Sequence, residues 1–71
     1  GHLQTMLEEL ERNYASLTER IAALDRDIGF ELDGERRLIL KQRRDERSAE
    51  RSELAAIRSQ YEAQLASLDS A

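Results

Sequence analysis

The chain has 71 residues, 15 acids against 11 bases and a formal net charge of −4, with 39% hydrophobic and 37% charged residues, no proline, no cysteine and a single phenylalanine. That length allows one domain at most, and two helices of this size share a seam rather than an interior, so stability is marginal or shared with a partner. The composition excludes disulfide scaffolds and thiolate metal sites, no apolar run approaches the roughly 20 residues needed to cross a bilayer, and the Ala, Glu, Leu and Arg mixture is that of long helices.

Gly1 and His2 read as the remnant of a cleaved expression tag, and the absent initiator methionine as the mark of a fragment of something larger. From Leu3 the apolar positions fall at Leu3, Leu7, Leu10, Tyr14, Leu17, Ile21, Leu24 and Ile28, in alternating steps of four and three. That is a heptad seam, and it predicts a first helix over 3–28 whose partner is another helix along about 38 Å of rise. Met6 and Ala22 widen the face.

Residues 29–33 are expected to form an interhelical loop. Gly29 suits the left-handed position that closes a helix, with Phe30 folding back on Leu24, because glycine lacks the Cβ that makes this conformation costly. Asp33 suits the N-cap of the next helix, and Glu35 places a second negative charge near its positive end. A continuous rod is the competing reading, since each glycine costs a helix only about 1 kcal/mol relative to alanine.

The second helix is expected over 34–68, with a frayed tail at 69–71. Its seam is less regular. Leu38 and Leu40 begin it, and Leu54, Ile57, Tyr61, Leu65 and Leu68 end it, but 41–53 offers only Ala49, and the heptad from Leu40 to Leu54 puts Arg47 in the seam. Long arginine stems covering the ridge of helix one are the simplest account. Charge agrees: residues 1–33 carry eight acids and three bases, net −5, and residues 34–58 carry five acids and eight bases, net +3, which favours antiparallel pairing. With a loop centred near residue 31, facing positions add to about 62, setting Leu24 near Leu38, Tyr14 near Ser48 and Leu7 near Ala55. Tyr61, Leu65 and Leu68 would then overhang the start of helix one with nothing opposite them.

The fold class expected is therefore all-α, an antiparallel two-helix coiled-coil hairpin that dimerises into a four-helix bundle. No catalytic, cofactor-binding or metal-binding residue is expected, because two helices build no concave pocket and the sole histidine lies in the presumed tag remnant. The function expected is protein–protein association, with Leu10, Tyr14, Leu17, Ile21 and Leu24 as one contact row and Leu54, Ile57, Tyr61, Leu65 and Leu68 as the other. The partner is a second copy, a dimer being favoured, or another helical protein, in a cytoplasmic setting without membrane contact. The alternative is polyanion or nucleic-acid binding through Arg37, Arg44, Arg51 and Arg58, which recur every seven residues, with Arg47 nearby. Interleaved Asp45, Glu46, Glu50 and Glu53, and the lack of interspersed aromatics for base stacking, weigh against it.

The stretch IAALDRDIGFELDGERRLILKQRRDERSAERSEL, residues 21–54, resembles helical segments lying between effector and NTPase or sensor regions of large bacterial signalling and conflict-defence proteins. The turn ELDGERR is its most distinctive part. The resemblance implies a linker, oligomerisation or docking role within a multidomain protein, and the ten arginines against one lysine suit a GC-rich bacterial genome.

Overall fold

The computed structural model of the chain describes residues 1–70 and consists of two helices, α1 over His2–Phe30 and α2 over Gly34–Ser70, folded back on each other as an antiparallel hairpin. The hairpin measures 57 × 14 × 13 Å, about half the length that 71 residues would span as one helix at roughly 1.5 Å per residue. No strand occurs among the described residues. No helix among them is long and apolar enough to cross a membrane.

Helix α1 starts earlier and ends later than the seam alone suggests. His2 already belongs to it, with Gly1 at the cap position and the Thr5 hydroxyl donating to the Gly1 carbonyl at 3.1 Å. At the other end Gly29 and Phe30 stay helical, and the loop is Glu31, Leu32 and Asp33 rather than 29–33. The left-handed closure expected at Gly29 does not occur, since no glycine has a positive φ among the described residues. Phe30 is 86% exposed, so it does not fold back on Leu24. The reason is local: Ile28 is buried, and the Glu31 amide still bonds to the Asp27 carbonyl at 3.0 Å, which carries the ladder past the glycine. The chain then leaves through an extended Glu31 (φ −79°, ψ 123°), a conformation that needs no glycine.

Asp33 caps α2. Its Oδ2 accepts from the Arg36 amide at 3.0 Å and its carbonyl from the Arg37 amide at 2.9 Å, satisfying donors that the first turn would otherwise leave unpaired. Glu31 braces the cap, its Oε1 accepting from the Asp33 amide at 3.1 Å. Glu35 lies in the acidic first turn, favourable against the helix dipole. Helix α2 runs through Asp69, where fraying was expected, to Ser70, and Ala71 lies outside the described residues.

The register differs from the sequence-based expectation by one heptad. Arg44 reaches Asp25 and Arg51 reaches Thr18, each at 3.3 Å, so facing positions add to 69 rather than 62. A seven-residue slide keeps every seam residue on its face, which is why the period of the sequence does not distinguish the two registers. It also brings residues 61–67 of α2 alongside α1 while moving residues 34–38 beyond its end. Tyr61 and Leu65 therefore do not overhang: both are half-buried, and Leu65 and Leu68 line a groove with Leu3 and Gln4. The three extended loop residues climb beside the first turn of α2, and the cost of the slide falls at that end, where Leu38 and Ile39 are left exposed.

Among the described residues the buried core is Leu7, Leu17, Ile21 and Ile28, all on α1. Helix α2 contributes half-buried Leu40, Leu54, Tyr61 and Leu65 among its apolar residues, and no side chain among the described residues is fully enclosed.

Candidate interaction surfaces

The two contact rows expected from the sequence lie against each other within the chain. Leu17 and Ile21 are buried, and Leu10, Tyr14 and Leu24 half-buried, on α1; Leu54, Tyr61 and Leu65 are half-buried, and Ile57 and Leu68 exposed, on α2. Leu17 and Leu54 meet at the floor of an open groove flanked by Arg20, Glu50 and Glu53. The half-buried members keep part of their apolar surface in water.

Three of the four heptad-spaced arginines turn toward α1. Arg44 bonds Asp25 on α1 and Asp45 on its own helix, at 3.3 and 3.2 Å, and these two carboxylates hold its pKa above the ordinary arginine value, the bond to Asp25 contributing most. Its charge is thus present at any pH at which the protein is handled. Arg51 donates to the Thr18 hydroxyl, and the guanidinium carbons of Arg51 and Arg58 lie 5.7 and 5.1 Å from the Tyr14 ring centroid. Tyr14 is therefore a platform between two cations one heptad apart, each contact worth about 0.5–1 kcal/mol at an exposed site. Arg58 also pairs with Glu62 at 3.7 Å.

Arg47 occupies the seam position between Leu40 and Leu54. One terminal nitrogen bonds Glu50 at 2.8 Å and lies 3.7 Å from Glu46, while its Nε is buried without a hydrogen-bond partner. An orphaned buried donor of this kind costs about 1–3 kcal/mol. Arg37, the fourth member of the stripe, stands apart from these contacts in the exposed first turns of α2.

The loop end holds a feature that the expected contact rows omit. Phe30, Leu32, Leu38 and Ile39 are 86, 97, 57 and 48% exposed, four of the six large apolar side chains that face solvent among the described residues. Arg36 and Arg43 flank Ile39 and Leu40 on one side, and Arg37 and Lys41 flank Leu38 on another. None of these four cations forms an ion pair among the described residues. A signal for this cluster is present in the sequence: Leu38, Ile39 and Leu40 are consecutive, and three successive positions of a helix cannot all face one seam.

No group of three or more His, Cys, Asp or Glu side chains among the described residues is placed to hold a metal ion. The surface depressions are open grooves along the helix pair. No protein-family model matches the chain, and the searches of curated proteins and of solved structures returned no match.

Proposed function

We propose that this chain is a non-catalytic association module, a coiled-coil hairpin that pairs with a second copy as an antiparallel dimer and so forms a four-helix bundle. The observation that carries the reading is the open seam: among the described residues only four side chains are buried, all on one helix, while the apolar row of α2 is at best half-covered. Two helices packed alone leave apolar area wet on both flanks of their contact, and a second hairpin laid along that flank removes it from water at about 25 cal/mol per Å². One long face of the hairpin, 57 by 14 Å, matches the roughly 800 Å² per partner of a standard protein interface.

The resemblance of residues 21–54 to linker helices of bacterial signalling and defence proteins supports the same role, an oligomerising or docking segment within a larger cytoplasmic protein. Polyanion binding is the second reading. It is favoured by the four unpaired cations of the loop end, and opposed by the engagement of Arg44, Arg47, Arg51 and Arg58 with acids and Tyr14. Multi-angle light scattering over a concentration series separates the two. Association predicts twice the chain mass of 8.2 kDa, retained in high salt because apolar burial holds the pair. A folded 8.2 kDa monomer at high micromolar concentration removes the dimer reading, and binding of that monomer to heparin that collapses with salt puts the polyanion reading in its place.

A further inference from the structure

The two ends of the hairpin are chemically unlike, and each carries what the other lacks. At the loop end, residues 36–44 hold five bases and no acid, around the exposed Phe30, Leu32, Leu38 and Ile39. The loop end also carries the carboxylates of Glu31, Asp33 and Glu35, which keep their charge while accepting hydrogen bonds, so residues 30–44 hold five bases and three acids, net +2. At the opposite end, residues 3–11 hold three acids and no base, and residues 59–70 two acids and no base. Between those segments lies a groove lined by Gly1, His2, Leu3, Gln4, Leu65 and Leu68, with no carboxylate in its wall and Leu68 itself 65% exposed. Glu8, Glu9 and Glu11 follow it along α1, are exposed and form no ion pair among the described residues.

We infer that these ends are each other's ligands: the apolar, net-positive loop end of one copy docks on the apolar terminal groove of a second copy and the acids that flank it along α1 and α2, in an antiparallel two-fold pair. The inference rests on the antiparallel self-association proposed above and adds the surfaces that meet and the charges that set its orientation. A parallel pair sets two net-positive loop ends against each other and the glutamates against each other at the far end, and like charges across an interface are unfavourable. The antiparallel pair sets unlike charges together at both ends at once. Because the contact is then made twice about a two-fold axis, it closes at the dimer, whereas the same ends joined in line would grow a filament. The apolar groups at each end supply burial, and the charges choose the orientation.

The test uses charge reversal in the whole chain. The variants R36E/R37E/K41E and E8K/E9K/E11K alter only exposed side chains without ion-pair partners among the described residues, so both retain helical circular dichroism. Each alone dimerises at least about tenfold more weakly than wild type at low salt. An equimolar mixture of the two recovers wild-type affinity as a heterodimer, because unlike charges then meet at both ends. A third variant, F30S/L32S, keeps its helicity and weakens dimerisation to a similar degree.

A wild-type dimer indifferent to all three variants overturns the docking of the ends and leaves the self-association intact. A wild-type monomer overturns both. A mass that grows beyond the dimer with concentration assigns the same ends to an open filament and overturns the two-fold pair. Flotation of monomeric wild type with phosphatidylserine vesicles, lost in R36E/R37E/K41E, assigns the loop end to a lipid surface and likewise overturns the inference.

Discussion

Replacing Arg47 with leucine stabilises the hairpin, although it removes a short ion pair. Arg47 lies where the register of Arg44 with Asp25 and Arg51 with Thr18 brings α2 against the Ile21 turn of α1. Its buried Nε has no partner, and relieving that orphan recovers about 1–3 kcal/mol. The interactions lost are the 2.8 Å pair with Glu50 and the 3.7 Å approach to Glu46, whose carboxylates are about half and two-thirds exposed, so each is worth about 0.2–1 kcal/mol. Leucine and the arginine stem cover similar apolar surface, so the exchange of burial nearly cancels. The net is a gain of about 1 kcal/mol, or roughly 4–8 °C in Tm for a domain of this size. Thermal unfolding followed by circular dichroism reads this directly, at one fixed protein concentration because association is linked to stability. A lower Tm for Arg47→Leu at unchanged mass would mean that the Arg47 pairs outweigh the orphaned donor, and the reasoning would be wrong.

Gly29→Ala raises stability by about 0.5–1 kcal/mol in chemical denaturation, because Gly29 is helical without a positive φ and a Cβ there meets nothing within 4 Å. A loss of stability would restore the left-handed closure. Asp33→Ala removes the cap of α2 and costs about 0.5–2 kcal/mol in the same assay; an unchanged midpoint would show the cap to be energetically idle. Leu17→Asp abolishes the cooperative helical transition, since Leu17 is 8% exposed, truncation of such a leucine already costs about 2–5 kcal/mol, and the buried charge adds to that. Full helicity with wild-type mass in this variant would displace Leu17 from the seam.

The helices themselves were legible because the strict four-three alternation from Leu3 to Ile28 leaves no other period, and Asp33 followed by Glu35 is a start signal that no competing interaction overrides. Gly29 misled for an energetic reason. A glycine weakens a helix by only about 1 kcal/mol, less than burial of Ile28 one residue earlier returns, so the helix continued to Phe30. The register was hidden for a geometric one. A slide of seven residues preserves the seam, so the choice depended on how far the extended Glu31–Asp33 connection climbs beside α2, which periodicity does not encode. That slide seats Tyr61 and Leu65 and exposes Leu38 and Ile39, so the same error moved the expected unpaired apolar surface from the terminal end to the loop end. The arginine stripe was visible in spacing, but its engagement with Tyr14 and Asp25 followed only from the register.

The claim on which the account turns is that two hairpins pair antiparallel, and one intermolecular distance tests it. The chain has no cysteine, so Gly29→Cys, at a site open to solvent beside the loop, carries a single spin label for pulsed dipolar spectroscopy. Gly29 lies level with residue 40, about 9 Å inside the loop tip, so an antiparallel pair of hairpins 57 Å long places the two labels near opposite ends of the bundle, on the order of 40 Å apart. A short distance would mean that the loop ends meet in a parallel pair, and a decay without any intermolecular distance, at a concentration where the chain is folded, would mean that the hairpin stands alone.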